Sequence, residues 1–215
     1  MDGTMYDTER ISSAGWIYAC KQFGYPMTIE RTLAMHGHNA HDNGILFASW
    51  FGPEAPYKEI RVLRARYMED YFTKNPVPVK PGLFELFSEL RSKNIRITIA
   101  TGTARDVASG YWESTGVLPW ISASVCGNDI SRSKPDPEVF LKAAALSGAA
   151  PEECVVFEDS HDGVLGARAA GTTVFLIPDM EPVTDDMLEA ADYVLPSLLE
   201  AVPVIHAWPY FDPLH

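Results

Sequence analysis

A chain that alternates short apolar runs with amphipathic stretches is restricted to few folds, and from Leu83 onward this one alternates. The stretch LFELFSELRSKN sets Leu83, Leu86, Phe87 and Leu90 on one helical face, and IRITIA then reads as a strand. Further strand candidates lie at 121–125, 154–157, 172–177 and 193–195, with helical patterns at 104–115, 137–147, 162–170 and 184–190 between them. Strands separated by helices imply a parallel sheet covered on both faces.

Ahead of this region the texture differs. Residues 7–73 carry helical patterns and no convincing strand. DTERISSAGWIYACKQFG places Ile11, Ala14 and Tyr18 near one face and stops at Gly24, and Tyr57, Ile60, Leu63, Tyr67 and Tyr71 recur at helical spacing further on. TKNPVPVKPG then breaks the pattern with three prolines, as a hinge does. The expected organisation is an α/β core of residues 1–6 and 76–215, Rossmann-like, with a helical cap at 7–75.

Composition narrows the partners. Seventeen basic against 29 acidic residues give a net charge of −12, which opposes a phosphate backbone and argues against nucleic acid. No apolar run approaches the roughly 18 residues of a membrane helix, and the first residues lack the pattern of a signal peptide. Three cysteines without C-x-x-C spacing fit buried thiols in a reducing compartment. The expectation is a cytoplasmic protein acting on a small molecule, away from membranes, as a monomer or weak homodimer.

In parallel sheets, ligands bind beyond the carboxyl ends of the strands. IRITIA ends in TGT, which puts the Thr101 hydroxyl and the amides of Gly102 and Thr103 at the sheet edge, where they suit a phosphate oxygen or simply cap a helix. CVVF ends in EDS, exposing Glu158 and Asp159 side by side, oxygen donors for a hard cation such as Mg²⁺ or helix-capping acids. Lys134 in SKPDPEVF could neutralise a phosphate. Asp2 follows the place where a first strand should end; its carboxyl can move a proton and its main-chain carbonyl can ligate a metal.

MDGTMYDTE, ITIATGT, SKPDPEVF and VVFEDSHDGVLGARAAG resemble, in order and spacing, the four motifs of the haloacid dehalogenase superfamily, in its phosphatase and β-phosphoglucomutase-like branch. The resemblance runs from Asp2 to about Leu195. It implies a Rossmann-like core with a mobile helical cap and a Mg²⁺ cofactor. It assigns Asp2 as general acid/base with a metal-binding carbonyl, Thr101 as the phosphoryl-binding hydroxyl, Lys134 as the charge-neutralising lysine, and Glu158 and Asp159 as the metal pair.

The family pattern also begins with a nucleophilic aspartate two places before Asp2, ahead of Met1, at the end of the sheet's first strand. The expectation is therefore a start lying inside the first motif, with that strand missing from these residues. Pro203 and Pro209 argue against the apolar tail around 202–208 taking its place.

The function expected is hydrolysis of a small phosphorylated metabolite, a sugar phosphate first among them. A phosphomutase is the alternative enzyme, and a catalytically dead binding protein the alternative of another class. In the cap, MHGHNAHDNG offers His36, His38 and His41 for substrate contacts, with His38 the chosen candidate; a zinc site there is disfavoured for want of a nearby cysteine. Trp208, Tyr210 and Phe211 are expected to pack on the core or on a partner subunit.

Overall fold

The computed structural model describes residues 1–36, 38 and 40–208. Four helices come first: α1 (Glu9–Gln22), α2 (Ile29–Leu33), α3 (Ala40–Phe51) and α4 (Tyr57–Lys74). They enclose an apolar core of their own built from Trp16, Ala19, Cys20, Met27, Met35, Phe47 and Ile60. The buried face of α1 differs from the expected one. Ser12, Ser13, Gly15, Trp16, Ala19 and Cys20 are buried, while Ala14 and Tyr18 face out. The two serines escaped the apolar pattern because part of this helix faces a polar cavity rather than hydrocarbon.

The remaining elements alternate: α5 (Leu83–Ser92), β1 (Thr98–Ala100), α6 (Arg105–Thr115), β2 (Ala123–Val125), α7 (Glu138–Ser147), β3 (Val155–Glu158), α8 (His161–Ala169), β4 (Thr173–Leu176), α9 (Asp185–Ala190), β5 (Tyr193–Val194) and α10 (Leu198–His206). All strand pairs are parallel, β1 with β2 and β3 with β4 and β5. They form two sheets rather than one. Between β1 and β3 lies a cavity of about 280 Å³, lined by Ile99, Val156, Leu86, Phe140 and Met1 among others.

The apolar tail does not enter that gap. It forms α10, whose Leu198, Ala201 and Ile205 are buried, and which packs on α5. The contact is close: a Cβ on Gly82 would stand 2.1 Å from the Leu199 nitrogen. Trp208 packs on Phe175 and Tyr193, at ring separations of 5.4 and 5.2 Å. Tyr210 and Phe211 lie outside the described residues.

The two connections to α1–α4 run side by side. Tyr6 bridges Val79 in antiparallel fashion, and the Asp7 nitrogen donates to the Pro78 carbonyl at 2.9 Å. Among the described residues no helix is long and apolar enough to cross a membrane.

Candidate active site

Strand ends and the first turn of the chain converge. Asp2 sits in that turn, and both carboxylate oxygens are engaged: Oδ1 accepts from the Thr8 hydroxyl at 2.6 Å and Oδ2 from the Thr103 hydroxyl at 2.7 Å. Two donors fix the carboxyl's orientation and leave it no free rotamer. Thr103 thus does not cap α6; Ala104 is the N-cap, without a side-chain bond. The Thr103 amide, expected to be free for a phosphate, donates to Thr101 Oγ1 at 3.1 Å. That bond uses a lone pair of the Thr101 hydroxyl and leaves its proton available. Thr101 is buried at the end of β1, its nitrogen bonded to the Val125 carbonyl at 2.9 Å.

Across from Thr101, Lys134 reaches the end of β3. It is buried, its ammonium touches Glu158 Oε1, and it lies 5.0 Å from the Phe140 ring centre. Glu158 also accepts from the Ser160 hydroxyl at 3.2 Å and the Asp159 nitrogen at 3.2 Å. Burial opposes its charge, but Lys134 and the N-terminal amine outweigh it and hold its carboxyl below the usual range. Asp159 behaves in the opposite way. Burial and then the neighbouring Glu158 push it up to about 7, although the Thr4 hydroxyl donates to Oδ1 at 2.5 Å.

A buried pair in which one acid is forced towards its neutral form lacks positive charge. That is the environment a cation relieves. Among the described residues no group of three or more His, Cys, Asp or Glu side chains could hold a metal ion. Mg²⁺ does not require one, since it is commonly held by one or two carboxylates together with water and substrate oxygens. Asp159, Glu158 and the Asp2 carbonyl are hard oxygen donors of the fitting kind.

These groups open on a cavity of about 990 Å³ between the strand ends and the cap helices. Its cap side is polar. Glu9 Oε2 lies 3.0 Å from His36 Nε2, and Arg64 Nη2 donates to Ser12 Oγ at 2.5 Å. Burial, then Asp2 and Asp159, push Glu9 up to about 8, while burial and Arg64 pull His36 down to about 4. Both shifts favour the neutral forms of the pair. His38 lines the cavity, but its Nε2 meets Asp162 of α8 at 2.9 Å, a contact that raises its pKa and ties the cap to the core.

Of the residues singled out from sequence, Asp2, Thr101, Gly102, Thr103, Lys134, His38, Glu158 and Asp159 all border this one cavity. Sequence reasoning missed Thr4 and Thr8, the hydroxyls that hold Asp159 and Asp2. Their only signal was two threonines within DGTMYDT. It also missed Glu9, Ser12 and Arg64, none of which lies at a strand end.

A parallel α/β core with a helical cap over an oriented acid, a buried threonine hydroxyl, a buried lysine and two adjacent acids is the arrangement of a hydrolase of phosphoryl groups. The family description "Haloacid dehalogenase-like hydrolase" matches residues 1–177, and the chain belongs to that family. Hexitol phosphatase A of Escherichia coli (strain K12) is 31% identical over 199 residues, spanning 92% of this chain and 88% of that protein. Validoxylamine A 7'-phosphate phosphatase of Streptomyces hygroscopicus subsp. limoneus is 25% identical over 99% of this chain and 96% of its own. A β-phosphoglucomutase from Clostridium difficile has the same fold, with a TM-score of 0.81 at 17% identity over 95% of this chain and 93% of that one. By family the chain is a phosphoric monoester hydrolase.

Proposed function

We propose that the protein is a Mg²⁺-dependent phosphatase of a small, neutral, polyhydroxylated monophosphate, a sugar or polyol phosphate. The observation that carries this reading is the doubly held Asp2 carboxyl bordering the same cavity as Thr101, Lys134 and Asp159. In this reading the Thr101 hydroxyl and the Gly102 amide take phosphoryl oxygens, and Lys134 balances their charge. An aspartate two positions before Asp2 attacks phosphorus, and the bond from phosphorus to the leaving oxygen breaks as Asp2 protonates that oxygen. Asp2 then takes a proton from water, which attacks the phosphoryl-aspartate and releases phosphate. Asp159, Glu158 and the Asp2 carbonyl would hold Mg²⁺, which would supply positive charge to the transferring group.

Wall charge favours a phosphatase over a mutase. A mutase must also hold a bisphosphate intermediate, whose second phosphate needs cations of its own. Around this cavity Asp2, Glu69, Asp106 and Glu158 outnumber Arg61, Arg64 and Lys134, even with Glu9 and Asp159 left out because burial pushes both towards their neutral forms. Lys134 serves the transferring phosphoryl group in this reading, and Arg64 is held by Ser12, which leaves few cations for a second phosphate. The names of the hexitol and validoxylamine phosphate phosphatases are consistent with such a substrate.

The test is release of inorganic phosphate from a panel of monophosphates, with Mg²⁺ or EDTA, by the protein whose frame includes the position two before Asp2. Mg²⁺-dependent hydrolysis of sugar and polyol phosphates is expected. Turnover only with a bisphosphate activator, or undiminished turnover in EDTA, would overturn the proposal.

A further inference from the structure

Lys134 sits midway along a stretch whose two ends are tied to one residue. Glu138, the glutamate of SKPDPEVF, opens α7, and its carboxylate turns back onto the chain ahead of the lysine. Oε2 accepts from the Arg132 nitrogen at 2.8 Å, and from the Ser131 nitrogen and hydroxyl at 3.1 and 2.9 Å. Oε1 accepts from the same Ser131 nitrogen at 3.1 Å and from the Lys142 ammonium at 2.6 Å. On the other side of the lysine the Glu138 nitrogen donates to Asp136 Oδ1 at 3.0 Å, and the Asp136 nitrogen to the Ser133 carbonyl at 2.9 Å. Residues 131–138 thus form a closed loop, and the Glu138 carboxylate is its clasp.

The start of α7 does not need this clasp. The first N–H groups of a helix call only for a local acceptor, and Asp136 is one. The Glu138 carboxylate instead reaches main-chain donors six and seven places earlier. Glu138 is buried, and a buried carboxylate is costly unless several donors meet it. Lys142 and then Ser131 hold it down at about 2, so it is charged at neutral pH. Lys142 also donates to the Asp129 carbonyl at 2.7 Å, and the Asp129 carboxylate accepts from Arg105 at 2.5 Å, which carries the bracing to the start of α6. The contacts of Lys134 itself, Glu158 and the Phe140 ring, seat its ammonium but not its backbone. An ammonium on a flexible four-carbon stem stays at one spot only if the main chain beneath it is fixed.

We propose that Glu138 is a positioning residue: by closing the loop of residues 131–138 it holds Lys134 where the transferring phosphoryl group needs positive charge. The proposal rests on the phosphatase reading, in which Lys134 balances that charge, and adds a residue that stands outside the cavity lining.

A double-mutant cycle on phosphate binding tests this without turnover. Inorganic phosphate is titrated into the full chain in Mg²⁺, with urea unfolding of each variant to establish that it is folded under the same conditions. Lys134→Met should weaken binding by about tenfold or more, the usual contribution of a charged hydrogen bond. Glu138→Ala should weaken it by about tenfold, and Glu138→Gln, which keeps the shape and one acceptor, by about threefold; the glutamine variant carries the test if the alanine variant does not fold. In the Lys134→Met background the same substitutions should change affinity by less than about twofold, since a residue that acts through Lys134 then has nothing to act on. Arg132→Ala removes an exposed side chain and keeps the loop's N–H bonds, so it should bind phosphate as the parent does. Equal weakening by Glu138→Gln in both backgrounds, parent-like affinity in the folded Glu138 variants, or a loss from Arg132→Ala as large as that from Glu138→Gln overturns the inference and leaves the phosphatase reading intact. No phosphate binding by the parent chain, or binding indifferent to Lys134→Met, overturns that reading and the inference with it.

Discussion

A Cβ on Gly3 would stand 1.9 Å from Oδ2 of Asp159. The first turn of the chain and the end of β3 therefore meet at a separation that only glycine allows, and Gly3 also adopts a φ of 75°. This contact brings Asp2 alongside the acid pair although 155 residues separate Thr4 from Asp159.

Replacing Gly3 by Ala adds left-handed strain of about 1–3 kcal/mol and pushes a methyl into Asp159. The control is Gly24→Ala, at a φ of 79° with nothing within 4 Å of the added carbon. Urea unfolding should show a clearly larger loss for Gly3→Ala than for Gly24→Ala, accompanied by weakened Mg²⁺ binding. Equal losses in the two variants would mean that the turn can move away from β3.

Asp2→Asn should leave the fold and phosphate binding intact while lowering turnover by about 10²–10⁴-fold, the usual contribution of a positioned proton donor. Thr103→Val removes one of the two bonds that orient the carboxyl, so a smaller loss, about tenfold, is expected from it. Steady-state rates across pH are the measurement. An Asp2→Asn variant as fast as its parent throughout refutes the acid/base role.

Part of this site was legible because Thr101 follows the apolar run IRITIA and Glu158 and Asp159 follow CVVF. Those three could be placed at the end of a strand from local pattern alone, and Lys134 only by the prolines of SKPDPEVF that lead into a helix. The hydroxyls of Thr4 and Thr8 could not, since their partners depend on how the first turn folds back on the sheet. Arg64 on α4 shows the same limit. A charged residue on an amphipathic helix reads as solvated unless the polar cavity facing it is known. The tail stays out of the strand gap, as Pro203 suggested, but the sequence left its own structure open. Burial of Leu198, Ala201 and Ile205 against α5 makes it helical, with Pro203 accommodated inside the helix.

Stability should depend on pH through Asp159. The unfolded chain releases this proton near 3.8, whereas the folded protein keeps it up to about 7. The folded state thus binds more protons across that interval, so its stability falls as pH rises from about 4 to about 7 and stays lowered above. Three units correspond to about 4 kcal/mol at most. Glu9 acts in the same direction and His36 in the opposite one, so the comparison to make is with Asp159→Asn. In EDTA the parent should lose more melting temperature than Asp159→Asn between pH 5 and pH 8, and Mg²⁺ should narrow the difference. Parallel pH curves would show that Asp159 titrates normally.

The gap between the two sheets gives the last prediction. Ile97 and Thr101 direct their backbone bonds to the β2 side, through Ser122 and Val125. In a parallel ladder alternate residues point to opposite sides, so Thr98 and Ala100 present their N–H and C=O groups to the cavity. By the same alternation Cys154 and Glu158 bond towards β4, to Thr173 and Ile177, leaving Val155 and Phe157 facing the cavity from the other side. Two parallel edges thus face each other across about 280 Å³ lined largely by apolar side chains, with Met1 at its border. An extended segment entering there would pair with both edges and bury its side chains against α5 and α7. Burying about five apolar residues contributes roughly 8–15 kcal/mol before the entropy of ordering them is subtracted. Joining an apolar run of about five residues ahead of Met1 should therefore raise the melting temperature by about 10 °C or more, since 1 kcal/mol shifts a domain of this size by roughly 2–4 °C. A Ser/Gly run of equal length is the control, and hydrogen exchange at the amides of Thr98, Ala100, Val155 and Phe157 is the local readout. Slowed exchange at those amides with the apolar run alone identifies a strand seated between β1 and β3. Equal melting temperatures and unchanged exchange in the two extended chains would show that the slot does not accept a strand.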